Sequence, residues 1–199
     1  MWDARYADEY AYGTQPNDWL VQRFADLKSG RCLCLADGQG RNGVWLAEQG
    51  FAVTSVDLSP VGLEKARALA DSRGVAITTE LADLATYDMG EGRWDAIVSI
   101  FAHLPPALRE DVHARAVRAL VPGGTLLLEA YTPDTLAQPG RGGPKGDQAA
   151  MLMRAEYLLN DFAGLDVLHA AETVREVNEG AFHQGLGAVV QFLARKPGS

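Results

Sequence analysis

Cysteine is scarce in this chain of 199 residues, which holds only Cys32 and Cys34. They stand two apart in the apolar run RCLCLAD, and on a strand residues two apart point to one face. Such neighbours do not close a disulfide on each other, which suits a reducing compartment. Structural zinc takes four ligands, and with His103, His113, His169 and His183 dispersed, no metal is expected. Long hydrophobic runs are missing as well. No segment approaches the roughly 20 apolar residues of a membrane span, and the opening MWDARYADEY has acids and no apolar core, unlike a targeting signal. No membrane partner and a cytoplasmic location are expected. Positive charge is also short: 18 Lys and Arg face 26 Asp and Glu, a formal net charge of -8, with the signs interspersed. That argues against an extended phosphate-binding face, so nucleic acid is not an expected partner.

What is present is apolar material in alternation. At 47% hydrophobic residues the chain suffices for one core, and a single domain over 1–199 is expected. RCLCLAD, FAVTSVD, VAITTELAD, WDAIVSIFAHL and GGTLLLEAYT read as strands. Between them NGVWLAEQG, SPVGLEKARALADSRG and PPALREDVHARAVRALV read as helices, the last with Leu108, Val112, Ala116 and Leu120 on one face. Strands alternating with helices imply parallel pairing through right-handed crossovers. The expected fold is therefore α/β, a Rossmann-like doubly wound sheet. After a helix near 154–163, LDVLHAAETVREVNE and FHQGLGAVVQFLARK read as a hairpin, which adds an antiparallel strand and brings the sheet to seven. Between the fifth strand and that helix lies the Gly- and Pro-rich stretch TPDTLAQPGRGGPKGDQ. It is expected to form a lid-like loop over 132–150.

The first strand runs into G-x-G-x-x-G at Gly38, Gly40 and Gly43, followed by a helix. In an open α/β sheet this turn sits at the centre of the ligand cleft, where glycines let the backbone approach a ligand. The glycines alone fit a dinucleotide as well as other nucleotide cofactors. The acids discriminate further. Asp57 closes the second strand, where a carboxylate can accept hydrogen bonds from ribose hydroxyls, and Asp83 follows the third, within reach of an adenine amino group. Asp37 puts a negative charge into the glycine turn, which repels pyrophosphate and attracts a sulfonium and an ammonium. S-adenosylmethionine is the cofactor this pattern favours.

These residues resemble the class I S-adenosylmethionine-dependent methyltransferases, and within them the small tellurite-resistance-like and thiol methyltransferase-like group. The resemblance spans nearly the whole chain, through DGQGRN, VTSVDLSP, ELADL, WDAIVSIFAHLPP, VPGGTLLLEAY and the terminal hairpin. It implies Gly38 and Gly40 against the methionine part of the cofactor, Asp57 on the ribose, Asp83 with Leu84 on the adenine, Ile100 beside the cofactor, and Leu58 among the cofactor-binding residues. It also implies that residues 1–30, with Trp2, Arg5, Tyr6 and Tyr12, form a helical cover; an amphipathic helix on the sheet edge is the alternative. Two positions depart from the family pattern. Cys34 stands where an acid is common and Ala36 where a glycine opens the motif, so Asp37 is expected to hold the cofactor's amino group instead.

On the acceptor side, His103 after the fourth strand is a candidate proton acceptor, or a helix-entry histidine with a structural hydrogen bond. Tyr131 at the end of the fifth strand is a second catalytic candidate, with packing as its alternative. Tyr12, and Arg141 with Lys145 in the lid, are candidates for holding the acceptor; Arg175 and His183 on the hairpin are further ones. The expected activity is methyl transfer to a small molecule, a thiol or chalcogen oxyanion being the favoured class. A nicotinamide-dependent oxidoreductase and a catalytically silent cofactor-binding domain are the alternatives.

Overall fold

The computed structural model describes residues 2–198. Seven strands form one sheet: β1 (Arg31–Leu35), β2 (Ala52–Asp57), β3 (Thr78–Leu81), β4 (Trp94–Ile100), β5 (Leu120–Tyr131), β6 (Asp166–Glu179) and β7 (His183–Arg195). Their spatial order is β3-β2-β1-β4-β5-β7-β6. Pairing is parallel from β3 through β5, and β7 enters antiparallel between β5 and β6. This is the doubly wound, mostly parallel sheet the alternation implies. The order reverses between β1 and β4, and the crevice opens above their carboxyl ends.

Six helices flank the sheet: α1 (Trp2–Tyr6), α2 (Asp18–Arg23), α3 (Arg41–Glu48), α4 (Pro60–Ser72), α5 (Pro106–Ala119) and α6 (Ala155–Asp161). Strand alternation sends Leu33 and Leu35 to one face, where Val112 and Ala116 of α5 and Leu158 of α6 close the core. Cys32 and Cys34 go to the other, against Trp19 and Leu20 of α2 and Leu46 of α3. Both cysteines are buried and free. Ser59 caps α4 by accepting from the Gly62 amide at 3.0 Å. One boundary differs from the expectation: α5 stops at Ala119, and Leu120 is already extended and paired with Trp94. Pro122 explains the early stop, because it disfavours helical geometry just before it and has no N–H to continue the ladder.

Candidate functional site

A cleft of about 440 Å³ lies above the carboxyl ends of the strands, under α1 and the 132–150 loop. Its floor is the turn from β1 into α3. Gly38 and Gly40 have φ of +56° and +82°, left-handed values that a side chain resists. Gly43 has a different reason to lack a side chain. A Cβ there would collide with the Asp37 carboxylate and the Ser55 hydroxyl. Asp37 is thus turned inward: it accepts from Ser55 Oγ at 2.6 Å and faces the Gly43 amide at 3.4 Å. Burial pushes its pKa up to about 7, against the lowering effect of those hydrogen bonds. Each oxygen thus has a partner within the fold, as each oxygen of Asp57 does, while the Asp37 carboxylate also lines the cleft. Ala36 adopts φ +49°, so the departure from glycine puts an alanine into left-handed backbone.

The β2–β3 end of the cleft carries the other two acids of its lining. Asp57 is buried at the end of β2, where Oδ2 accepts from the Gly38 amide at 2.8 Å and Oδ1 from the Ser59 amide at 2.9 Å. One carboxylate thus couples the glycine turn to the α4 cap. Leu58 beside it is 56% exposed, an apolar side chain displayed in the cleft. Asp83 is exposed and folds onto its own loop through the Ala85 amide at 2.8 Å. The Leu84 carbonyl accepts from Arg115 at 2.5 Å, which fixes that loop, and Ile100 lines the cleft between the two ends.

Residues 2–12 run along the cleft, with Tyr6 at this end. The Tyr6 ring sits in a slot left by two missing side chains, because a Cβ on Gly38 or on Gly62 would meet the ring at about 3 Å or less. Gln39 holds the following segment, accepting from the Ala11 amide at 2.7 Å and donating to the Glu9 carbonyl at 2.8 Å. Gln39 and Gly62 were not singled out in the sequence, although each has a simple signal: a long amide inside the glycine turn, and a glycine in the first turn of a helix.

The β4–β5 end is built from rings. Phe101 follows β4 with φ +54°, uncommon for an aromatic and of the kind that clusters at functional sites. Its ring stacks on Tyr131 at 4.6 Å and meets His183 edge-on at 4.7 Å, and Tyr12 lies 4.5 Å from His183. His103 lines the cleft, but both of its nitrogens belong to the main chain. Nε2 accepts from the Tyr131 amide at 3.0 Å, so Nδ1 carries the hydrogen and donates to the Phe101 carbonyl at 3.0 Å. Burial lowers its pKa to about 4. His103 as proton acceptor is therefore corrected to the structural alternative: it extends the β4–β5 pairing past Phe101. Tyr131 is 1% exposed, packed under Gly142 and Gly143 and outside the cleft lining, and its hydroxyl has no partner. Its catalytic assignment gives way to packing. Arg141 pairs its backbone with Gln184 at 2.6 and 2.9 Å, tying the loop to β7, and its side chain lies outside the cleft lining, as does that of Lys145.

Beneath this end lies a buried charge network. Glu129, wholly inaccessible in β5, takes a two-pronged contact from Arg175 at 2.9 and 2.6 Å and further bonds from Asn17 at 2.6 Å and Gln191 at 2.9 Å. Glu179 accepts from Arg175 at 2.9 Å, from Asn17 at 2.8 Å and from Arg41. Two carboxylates and two guanidinium groups balance, which is what permits such burial. Arg41, at the head of α3, carries the network to the cleft wall.

Three comparisons bear on this geometry. The family described as "Methyltransferase domain" matches residues 32–124. This is a class I S-adenosylmethionine-dependent methyltransferase domain. The chain is 31% identical over 144 residues to a glycine/sarcosine N-methyltransferase of Halorhodospira halochloris, covering 70% of this chain and 51% of that protein. The chain spans about half the length of this curated relative. Among solved structures, TehB from Haemophilus influenzae superposes with a TM-score of 0.75 at 20% identity, over 98% of this chain and 67% of the other. A protein from work on the conversion of a disulfide bond into a thioacetal group during echinomycin biosynthesis gives 0.74 at 22%, over 98% and 90%. Both likenesses are of fold. The methyltransferase match favours this reading over the nicotinamide alternative, whose glycine turn, doubly wound sheet and strand-end acid the sequence also fits.

Proposed function

We propose that this chain transfers a methyl group from S-adenosylmethionine to a small molecule, a thiol or chalcogen oxyanion being the favoured acceptor class. S-adenosylmethionine is the cofactor of this domain family. The residues present fit it. Asp57 and Asp83 offer acceptor oxygens at successive strand ends, Leu58 an exposed apolar face, and the Gly38–Gly40 turn a backbone that a ligand can approach. In this reading Leu58, Asp83, Leu84 and Ile100 would hold the adenosine, and the Gly38–Gly40 turn would hold the methionine end. When bound, the cofactor supplies an electrophilic methyl on a positive sulfur.

The observation that carries the reading is the polarity of the cleft. All three acids in its lining stand at the β1–β3 end, while the other end offers rings and a neutral imidazole. Acceptor and methyl would meet at the boundary, near Ile100 and Phe101. The chain's own work there is alignment, and such positioning accounts for about 7–11 kcal/mol of a barrier in favourable cases. A thiol partly ionised at neutral pH, or an oxyanion, needs no base, and His103 is not free to be one. The test is transfer of labelled methyl to thiols, selenite, tellurite, carboxylates and amines, beside titration with S-adenosylhomocysteine. Transfer to thiols or chalcogen oxyanions is expected. Tight binding without transfer to any acceptor would move the reading to a silent cofactor-binding domain.

A further inference from the structure

His183 is the cleft histidine that the fold leaves uncommitted. It stands at the first position of β7 and lines the cleft, 8% exposed. Nδ1 is buried with no hydrogen-bond partner, and Nε2, which also has none, is the ring nitrogen left toward the cleft. A buried acceptor is left unpaired more often than a buried N–H, which favours the lone pair on Nδ1 and the hydrogen on Nε2. Its surroundings keep the ring neutral: burial first, then the positive charges of Arg41, Arg5 and Arg175, lower its pKa far below the ordinary histidine range. A cleft N–H with no partner is a donor waiting for an acceptor.

Arg5 also lines the cleft. Its guanidinium sits 5.0 Å from the Trp2 ring and 5.0 Å from the Phe182 ring, and Nη1 donates to the Tyr12 hydroxyl at 3.0 Å. The Tyr12 ring lies against both His183 and Phe182. Unlike Arg41 and Arg175, whose charges are matched by Glu129 and Glu179, Arg5 has no carboxylate partner among the described residues. We propose that His183 Nε2–H and the Arg5 guanidinium form the seat of an anionic group on the acceptor, over an aromatic wall of Tyr12, Phe101 and Phe182. For an oxyanion the seated group is the nucleophile itself; for a mercapto acid it is a carboxylate handle. The assignment rests on the methyltransferase reading and adds which charge the acceptor carries on entry.

Two measurements test it. Long-range proton–nitrogen NMR of the ligand-free protein reads the His183 tautomer directly. A neutral ring with hydrogen on Nε2 through pH 6–8 is expected; hydrogen on Nδ1, or a protonated ring at pH 7, overturns the proposal. Calorimetry on the protein loaded with S-adenosylhomocysteine then compares selenite and mercaptoacetate with uncharged 2-mercaptoethanol. At least one anion is expected to bind more tightly than the uncharged thiol, and which one binds separates nucleophile from handle. Arg5→Gln and His183→Ala should each weaken that binding by about tenfold, the loss of one charge-assisted or buried hydrogen bond. His183→Asn, which keeps an N–H donor, should recover part of it. Anions binding no better than 2-mercaptoethanol, or equally well in Arg5→Gln, overturn the proposal while S-adenosylhomocysteine still binds. Failure of S-adenosylhomocysteine to bind at all overturns the methyltransferase reading beneath it.

Discussion

The two ends of the cleft are built on opposite plans. At the β1–β3 end, carboxylates are held by main-chain amides and by one hydroxyl, within a contiguous stretch from Arg31 to Leu84. At the β4–β5–β7 end, rings and guanidinium groups converge from residues as far apart as Arg5 and His183, over a buried ion network. The family match at 32–124 contains the three cleft acids and, of the second set, Arg41, Phe101 and His103, but not Arg5, Tyr12, Glu129, Arg175 or His183. On the proposed reading, cofactor binding is carried by local sequence, whereas acceptor choice falls to parts brought together by the fold.

The comparison can be broken most forcefully from below. Glu129→Ala leaves Arg175 buried without its main partner and should lower stability by about 3–5 kcal/mol, read by urea unfolding. A loss under 1 kcal/mol would mean the network is not what supports the acceptor end. Asp57→Ala should weaken S-adenosylhomocysteine binding by tenfold or more in titration calorimetry, with unchanged affinity contradicting the cofactor-end assignment.

The next two substitutions turn the contrast into opposite pH responses. His103 is held neutral with a folded pKa of about 4, below its unfolded value near 6.5, so the unfolded chain binds more protons between them. Its contribution to stability is present above pH 6.5 and is lost as pH falls toward 4. His103→Ala should cost about 1–3 kcal/mol at pH 7, from the freed Tyr131 amide and Phe101 carbonyl, and should flatten the acid side of the stability profile. Asp37 runs the other way. Its folded pKa near 7 lies above the unfolded 3.8, so the folded chain holds the extra proton and stability from this group declines as pH rises from 4 to 7. Asp37→Asn should raise Tm relative to the parent at pH 8 by about 2–4 °C and by less at pH 5, measured by calorimetry. Ala36→Gly should do least. Relief of left-handed backbone offsets the added freedom of the unfolded chain, leaving a change within about 1 kcal/mol.

Strand and helix alternation made the sheet, its crossovers and the antiparallel hairpin legible, because each element's period reports which side is buried. The strand-end acids were legible for the same reason, since a strand's last residue in such a sheet faces the crevice. Orientation was not. Asp37 was read by its charge, but its direction depends on Ser55 on the neighbouring strand, 18 positions away. His103 looked free because the amide that occupies it comes from Tyr131, 28 positions on. Glu129 did carry a signal that was passed over: a lone acid in TLLLEAY, amid apolar residues on a central strand, requires buried cationic partners.

The hairpin turn makes one more demand on the molecule. Ala181 donates to the Ala11 carbonyl at 3.0 Å, and Gly180 packs against the backbone of Tyr12 and Gly13, so residues 11–13 and 180–181 are joined beside the proposed acceptor seat. On a ribosome, residues 31–84 are free to pair while the rest is still being made. The acceptor wall must wait for the last strand to arrive. A partly made or clipped chain can therefore hold the parts of a cofactor site with nothing to aim the methyl at.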